Sequence, residues 1–265
     1  MTKITVLGGG NIGEALIAGL VAKGYEGADI TATNRSKGRS EYLESTYGVT
    51  TTADNSAAVK DADYVFVCLK PYGIVSVLEE VADSLPEGAV VASMAAGVTL
   101  EAMETAAGSQ TPVVRVMPNT PMLVGKGMCA CAPGRHVTEE QLEGVQELLS
   151  AVGEVATVGE DDMDAVTALA GSAPAYYFLV TEALVDAGVQ LGLKRDVAEK
   201  LAGQAAAGAG AMLAESGDSA SQLRINVSSP GGTTVAALRE LEESGLRGAF
   251  FRAAEACATR SQELG

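Results

Sequence analysis

The stretch VLGGGNIGEAL, from Val6 to Leu16, places four glycines within eleven residues, directly after an apolar run. Gly8, Gly10 and Gly13 have the spacing G-x-G-x-x-G, and an amphipathic segment follows them. In a strand–turn–helix unit these glycines permit the turn, the close approach of a pyrophosphate and tight helix packing. A glycine-rich turn without a ligand is the alternative interpretation. The expected cofactor-binding residues of this stretch are Gly8, Gly10, Asn11, Ile12 and Gly13.

The alternation of segments beyond this stretch predicts the fold class. Short β-branched runs alternate with helical segments up to about residue 158, which is typical of a mostly parallel, doubly wound sheet. The predicted strands are ITVL, DITAT, YVFVCL, AVVAS, PVVRVM, MCAC and EVATV. After Gly159 we find only helical periodicity. We therefore expect a Rossmann-type α/β domain over residues 1–158 and an all-helical domain over residues 159–265.

Composition narrows the class of partner. A net charge of −16 over 265 residues repels polyanions, so we expect neither a nucleic-acid nor a membrane partner. A strand-like run begins at Lys3 and leaves no room for a signal peptide, and no apolar stretch reaches bilayer length, so we expect a cytoplasmic protein. The cysteines form no CxxC pair and His136 is the only histidine, which predicts reduced thiols and no metal site.

The helical half carries more apolar surface than about a hundred residues can cover. The stretch Ala175 to Leu193 is apolar almost all round, and the next predicted helix is rich in alanine and glycine. Such helices need burial on several sides and can approach a neighbour closely. We expect a second subunit to complete this core, and an ordinary bundle within one chain is the alternative.

The end of the predicted second strand distinguishes NADP from NAD. A carboxylate at this point would bind the ribose hydroxyls of NAD, but TATNRSKGR contains none. Cationic and hydroxyl side chains would instead hold a 2′-phosphate, so NADPH is the expected cofactor and NADH the alternative. A solvated basic helix start would give the same pattern. The side chains concerned are Asn34, Arg35, Ser36, Lys37 and Arg39.

Three further loops follow predicted strands, where doubly wound sheets bind their ligands. CLKPY places a lysine that could reach the ribose or nicotinamide, SMAAGV offers small residues against which a ring could lie, and RVMPNTP holds an asparagine between prolines. A surface charge and rigid turns are the alternatives. The expected cofactor-binding residues here are Lys70, Pro71, Ala95, Ala96, Gly97 and Asn119.

The stretch NVSSPGGTTVAALREL, from Asn226 to Leu241, predicts a small-anion pocket. Ser229 precedes Pro230, a favoured first-turn residue, and Gly231 with Gly232 leaves N–H groups uncovered at a helix start. No lysine follows the glycines, so a single carboxylate fits better than a nucleoside triphosphate. Simple helix capping is the alternative.

The sequence is poor in candidates for general acid–base catalysis. His136 lies in a polar turn before the capping pattern Thr138 to Gln141, and Glu182 with Asp186 fits a solvated or structural pair better than a metal site. Hydride transfer to a substrate that is already cationic, such as a protonated imine, needs little proton transfer from the enzyme. The residues therefore favour a reductase that works mainly by positioning.

Taken together, GGGNIGEAL, CLKP, SMAAGV, RVMPNTP, GSAPAYYF, EALVDAGVQLGL and VSSPGGTTVAAL resemble the pyrroline-5-carboxylate reductase family over nearly the whole chain. The resemblance implies NAD(P)H-dependent reduction of Δ1-pyrroline-5-carboxylate to proline, the last step of proline biosynthesis. It also implies a helical dimerisation domain, with dimers that often assemble into decamers. Ala173 departs from the expected GSGPAY and adds a methyl group where a helix begins.

The resemblance also implies roles for residues of the PGGTT block. Ser229 and the backbone from Gly232 to Thr234 would hold the substrate carboxylate, and the Thr234 hydroxyl would approach the ring nitrogen as the catalytic group. The implied substrate-binding residues are Ser229, Gly231, Gly232, Thr233 and Thr234.

Two other classes of protein remain as alternatives. A β-hydroxyacid dehydrogenase would need a lysine on the first long helix after the sheet, and Asp164 to Leu193 contains none. A non-catalytic regulator that senses NADPH would leave the serine–glycine–threonine pocket without a purpose.

Overall fold

The computed structural model describes residues 2–264, which form two compact units. The sheet unit contains the chain up to Ser172 together with the residues from Cys257 onward. The helical unit is Ala173–Ala256. The predicted domain boundary between residues 158 and 159 falls just after the last strand. In the structure, residues 159–172 and the end of the last helix also belong to the sheet unit.

Within residues 2–264 the sheet unit contains eight strands in the order β3-β2-β1-β4-β5-β6-β7-β8. Neighbouring strands are parallel except β6 and β7, which pair antiparallel. The strands are β1 (Ile4–Leu7), β2 (Ile30–Thr33), β3 (Thr50–Thr52), β4 (Tyr64–Val67), β5 (Val90–Ser93), β6 (Val113–Met117), β7 (Gly127–Pro133) and β8 (Gly153–Thr157). This mostly parallel sheet with helical crossovers confirms the predicted fold class.

Helices connect these strands, and local side chains set where several of them begin. Asp54 and Thr99 each accept a backbone N–H at a helix start, and Thr138 forms the predicted capping box with Gln141. The helices of the sheet unit before residue 173 are α1 (Asn11–Ala22), α2 (Lys37–Tyr47), α3 (Asn55–Val59), α4 (Ile74–Val81), α5 (Leu100–Ala107), α6 (Glu139–Leu149) and α7 (Met163–Val166). A π-helical turn, Thr167–Gly171, follows α7.

The sheet unit buries apolar side chains on both of its faces. In β4, Phe66 belongs to the cluster on one face, while Val65 and Val67 belong to the cluster on the other. This alternation follows from the two-residue period of a strand, and helices on both sides make both faces interior. The central strands are therefore buried on both faces.

The helical unit, by contrast, buries very little by itself. Its helices are α8 (Ala173–Gln190), α9 (Arg195–Glu215), α10 (Ala220–Asn226), α11 (Thr233–Glu243) and the first part of α12 (Leu246–Leu264). Its buried hydrophobic cluster contains Val185, Ala198 and Ala202. On α8, Tyr177 and Phe178 are 65% and 67% exposed. The predicted all-helical second half is confirmed, and its apolar surface faces outward in the single chain.

One strand was missing from the sequence-based expectation. β3 consists of three threonines at the edge of the sheet, pairs only with β2, and has no buried side chain. A three-residue polar edge strand has no hydrophobic alternation from which it could be predicted.

The structure has Cys129 and Cys131 buried and Cys68 and Cys257 half-buried, each without a disulfide partner among residues 2–264. Burial raises the pKa of the Cys68, Cys129 and Cys131 thiols to about 12. At neutral pH these side chains are therefore protonated packing groups with no thiolate reactivity.

Candidate active site

The glycine-rich loop follows β1 and is tied to the end of β2. The Gly8 N–H donates to the Thr33 hydroxyl at 3.2 Å, and the Gly9 N–H donates to the Thr33 carbonyl at 2.9 Å. Gly8 has a φ of +102°, and a Cβ there would lie 2.7 Å from the Leu69 side chain. A Cβ on Gly13 would collide with the Gly8 carbonyl oxygen. These two glycines are required by the turn and by the close approach of α1.

Gly10 differs from Gly8 and Gly13 because, within residues 2–264, no other part of the protein lies where its side chain would be. A Cβ there would meet nothing within 4 Å, and Gly10 is the N-cap of α1 without any side-chain cap. The first N–H groups of this twelve-residue helix, beginning at Asn11 and Ile12, therefore lack a capping side chain. Uncapped N–H groups at a helix start, with room for close approach, fit the pyrophosphate of a dinucleotide.

The loop from β2 to α2 carries the residues predicted for the 2′-phosphate. Asn34 donates from its side-chain amide to the Gly9 carbonyl at 3.3 Å and accepts from the Ser36 N–H at 3.4 Å. Ser36 is the N-cap of α2, yet its hydroxyl caps no N–H. Arg35 and Lys37 are exposed, and Lys37 lies 3.6 Å from Glu41 across one helical turn. This loop thus presents cations and donors to solvent beside the glycine-rich loop.

Arg39 does not belong to this exposed group, contrary to the sequence-based expectation. Its guanidinium donates to the Gly9 carbonyl at 2.8 Å and forms an ion pair with Glu14 of α1. The residue points back to the glycine-rich loop because it lies within α2, past the helix start. The positive charge of Arg39 is thus paired with the carboxylate of Glu14.

The loops after β4 and β5 lie beside the glycine-rich loop. Strand pairing brings them there, since the Cys68 N–H donates to the Leu7 carbonyl at 2.8 Å and the Met94 N–H donates to the Val67 carbonyl at 3.0 Å. Lys70 and Pro71 are exposed directly after β4. The structure therefore brings these residues to the same edge as Gly8 and Gly10.

In the SMAAGV loop after β5, Ala95 is buried, Ala96 is exposed and Gly97 has a φ of +78°. A Cβ on Gly97 would lie 3.3 Å from the Leu264 carbonyl oxygen, so the end of α12 packs against this loop. Ser93, at the end of β5, has a fully buried hydroxyl without a hydrogen-bond partner among residues 2–264. The sequence alone did not reveal that α12 returns to the sheet.

Asn119 follows β6, and its side-chain amide is hydrogen-bonded within the sheet unit. Its amide donates to the Ala170 carbonyl at 3.1 Å and accepts from the Met128 N–H at 2.9 Å. These bonds tie the loop after β6 to the π-helical turn before α8. A role of Asn119 in cofactor binding stays a prediction, and the structure gives it a supporting role.

The PGGTT segment forms a tight turn and then a helix start. The Gly232 N–H donates to the Ser229 carbonyl at 2.9 Å across Pro230 and Gly231, and Gly231 has a φ of +72°. A proline followed by a glycine with positive φ is typical of a type II turn. The helix α11 begins at Thr233, so the expectation that Pro230 lies in its first turn is wrong.

The start of α11 is also uncapped. Gly232 is its N-cap and provides no side chain, and a Cβ there would lie 2.5 Å from the Ser229 hydroxyl oxygen. Ser229 is exposed, and Thr234 is half-buried in the first turn. This eleven-residue helix therefore offers N–H groups and hydroxyls together, as a carboxylate requires.

Within residues 2–264, the acidic side chain in the first turn of α1, Glu14, is ion-paired with Arg39, and the first turn of α11 contains no acidic residue. Asp186 accepts from Arg195 at 2.9 Å, which makes it a structural group rather than a partner of Glu182. Among residues 2–264, no group of three or more His, Cys, Asp or Glu side chains could hold a metal ion.

A doubly wound sheet with an open glycine-rich loop, followed by a helical unit with an uncapped helix start, is the arrangement of a dinucleotide-dependent oxidoreductase. The family described as "Pyrroline-5-carboxylate reductase dimerisation" matches residues 160–264. The family described as "NADP oxidoreductase coenzyme F420-dependent" matches residues 3–97.

Similar proteins cover the whole chain. A pyrroline-5-carboxylate reductase of Corynebacterium melassecola is 58% identical over 100% of this chain and 99% of its own. A pyrroline-5-carboxylate reductase structure from Coxiella burnetii has a TM-score of 0.96 and 40% identity, covering 100% of this chain and 98% of that one. The Plasmodium falciparum pyrroline carboxylate reductase structure, with NADP bound, has a TM-score of 0.86 and 29% identity over the same shares. The chain belongs to the pyrroline-5-carboxylate reductase family.

The dimerisation match accounts for the most apolar part of the chain. Glu160–Gln190 is long and apolar enough to cross a membrane by length and composition alone, and an 18-residue stretch within it has a mean hydropathy of 1.2. This segment lies within the matched dimerisation region, and the interior helix of an assembly has the same composition. We therefore attribute its exposed apolar side chains to contact with a second subunit.

Proposed function

We propose that the protein reduces Δ1-pyrroline-5-carboxylate to L-proline with NADPH as the hydride donor. The observation that carries this proposal is the uncapped start of α11, where Gly232 leaves N–H groups open beside the Ser229 hydroxyl. A single carboxylate matches this arrangement. The family assignment supplies the class of substrate, a cyclic imine that bears one carboxylate.

The residues of the helical unit hold and orient the substrate. Ser229, Gly231, Gly232 and Thr233 bind its carboxylate through one hydroxyl and the backbone. The Thr234 hydroxyl contacts the ring nitrogen and orients the ring. Thr234 is therefore the one side chain assigned a catalytic role.

The chemistry balances without an acidic side chain. Two electrons and a proton pass as hydride to the imine carbon, and the electron pair of the C=N bond moves to the nitrogen. When the nitrogen is already protonated, the product is the neutral amine of proline and no further proton is needed. This agrees with the first turns of the two helices within residues 2–264, since Glu14 of α1 is ion-paired with Arg39 and α11 has no acidic residue there.

The sheet unit holds the cofactor. The start of α1, with Gly8, Gly10, Asn11, Ile12 and Gly13, binds the pyrophosphate. The 2′-phosphate lies against the exposed loop after β2, which makes NADPH the preferred donor and NADH a weaker one. The residues of that loop are Asn34, Arg35, Ser36 and Lys37. The residues that would hold the nicotinamide end are Lys70, Pro71, Ala95, Ala96, Gly97 and Asn119.

The helical unit makes the protein a homodimer. In α9, Gly203 and Gly210 lie two turns apart on one face, and a Cβ on either would meet nothing within 4 Å, so this face is open to close approach by another helix. The resemblance to the family supports further assembly of dimers into a decamer. We place the enzyme in the cytoplasm, where its expected cofactor and reduced cysteines are stable.

A turnover assay tests the proposed function. Purified protein should consume NADPH, followed by absorbance, only when Δ1-pyrroline-5-carboxylate is present, and chromatography should identify L-proline as the product. Absence of proline with bound NADPH present would reject the proposal and favour the NADPH-sensing alternative.

A further inference from the structure

Arg39 holds the glycine-rich loop from the side of α2. Its Nε donates to the Gly9 carbonyl at 2.8 Å, and its Nη2 donates to the Gly10 carbonyl at 3.4 Å. The same Nη2 contacts the Glu14 carboxylate. The guanidinium carbon also lies 5.3 Å from the centre of the Tyr42 ring. One side chain thus connects α2, the loop and the first turn of α1.

Glu14 is fixed from a second direction. The Tyr47 hydroxyl donates to the other carboxylate oxygen at 2.9 Å. Burial raises the pKa of Glu14, but hydrogen bonds from Arg39, Tyr47 and Tyr42 outweigh it and hold the pKa below its usual value. Glu14 is therefore ionised at neutral pH and neutralises Arg39 within the cluster.

Arg35 provides a contrast four residues earlier in the chain. It is exposed, and among residues 2–264 no carboxylate lies within ion-pair distance of it. Arg39 has only 27% of its side chain exposed and is fully engaged. The two arginines therefore differ in what they can offer to a bound nucleotide.

We propose that Arg39 is a positioning residue that fixes the glycine-rich loop against α1 and thereby sets the affinity for the pyrophosphate that NADPH and NADH share. This inference rests on the proposed use of a nicotinamide dinucleotide. Without Arg39, the Gly9 carbonyl keeps the longer 3.3 Å bond from the Asn34 amide and the Gly10 carbonyl keeps its helical bond from the Glu14 N–H, but the link from both carbonyls to α2 through the guanidinium is lost. The Glu14 carboxylate also becomes an unpaired negative charge in the first turn of α1, where the phosphates would bind.

The test compares two substitutions that remove the same charge, Arg39→Gln and Arg35→Gln. NADPH and NADH binding are measured by nucleotide fluorescence without the imine. Arg39→Gln should lower the affinity for NADPH and for NADH by a similar factor, about tenfold, because the lost contacts support the site of the pyrophosphate that both nucleotides share. Arg35→Gln should lower the affinity for NADPH by about tenfold and leave the affinity for NADH unchanged.

Two further readouts separate positioning from a simple charge effect. Arg39→Lys should fail to restore binding, because an ammonium cannot donate in the fixed directions of a guanidinium. At saturating nucleotide, kcat of Arg39→Gln should stay within about twofold of the wild type, while KM for both nucleotides rises.

Three results would overturn the inference: loss of NADPH binding alone in Arg39→Gln, unchanged binding of both nucleotides, or rescue by lysine. If Arg39→Gln does not fold, Tyr47→Phe tests the inference instead, because it removes the hydrogen bond from the Tyr47 hydroxyl to Glu14. This variant should lower the affinity for NADPH and NADH by the same factor, and this factor should be smaller than the one expected for Arg39→Gln. A wild-type protein that binds both nucleotides but reduces no imine would reject the proposed function and leave this inference standing.

Discussion

The sheet unit and the helical unit bury their apolar residues in very different ways. The sheet unit has two large hydrophobic clusters, one on each face of the sheet. The buried cluster of the helical unit contains only Val185, Ala198 and Ala202, while most large apolar side chains of α8 are exposed. The first unit has a core of its own, and the second needs a partner to acquire one. Nucleotide binding should therefore survive changes that abolish assembly.

The largest expected effect comes from Phe178→Asp on α8. A buried carboxylate in each copy of a symmetric interface should weaken dimerisation by about a hundredfold or more. Light scattering should show a smaller particle, and turnover should fall with it, while NADPH still binds.

Gln110→Asp is the matched control, since it adds the same charge at an exposed position of the sheet unit. It should leave the particle size unchanged. A dimeric Phe178→Asp protein with normal turnover would contradict the comparison between the units.

The next effect concerns the helix start of the helical unit. Thr234→Ala should lower kcat/KM for the imine by a factor that corresponds to about 1 to 3 kcal/mol of lost transition-state stabilisation, the range for one lost polar contact. Thr234→Ser keeps the hydroxyl and should retain most of the activity. Steady-state kinetics at saturating NADPH measure both variants, and full activity in the alanine variant would remove Thr234 from the site.

Two glycine substitutions sharpen the account of the sheet unit. Gly10→Ala adds a methyl group to open space, so it should leave the melting temperature unchanged but weaken NADPH binding by about tenfold. Gly13→Ala collides with the Gly8 carbonyl and should cost about 1 to 3 kcal/mol of stability. Fluorescence titration and thermal unfolding separate the two effects. Normal NADPH binding by Gly10→Ala would exclude close approach of the phosphate there.

The smallest expected effect concerns Glu104, a buried carboxylate of α5 that is hydrogen-bonded to Arg135 in the loop after β7. Burial raises the pKa of Glu104, but hydrogen bonds from the Arg135 backbone and side chain outweigh it and hold the pKa below its usual value. Its contribution is complete above pH 4.5, the ordinary value of a Glu carboxyl, and is lost as the pH falls through the lowered value. Glu104→Gln should therefore lower stability by about 1 kcal/mol at pH 7 and by less in acid. An equal loss at both pH values, measured by urea unfolding, would contradict this sign.

The features that sequence could predict are those with local signals. The glycine spacing and the strand–helix alternation specified the doubly wound sheet, and the apolar α8 indicated a second subunit. The edge strand β3 was missed because three threonines carry no hydrophobic alternation. The sequence places Pro230 in the first turn of a helix, whereas the structure has it in a β-turn before α11. Proline is common at both positions, so the sequence does not distinguish them.

The remaining differences depend on contacts between distant parts of the chain. Arg39 looked like a member of the exposed cationic group, and only its bonds to Gly9 and Glu14 separate it from Arg35. The end of α12 lies against Gly97, although the two are far apart in sequence. No spacing rule predicts such pairs, because they follow from how the helices pack.

The central claim is that the helical unit holds an imine by its carboxylate so that positioning replaces an acid. The most direct measurement is kcat/KM with NADPH for Δ1-pyrroline-5-carboxylate and for 1-pyrroline, the same ring without the carboxylate. We expect the first substrate to be favoured by about a hundredfold or more, because its carboxylate bonds to the start of α11. Equal values for the two imines would contradict the account.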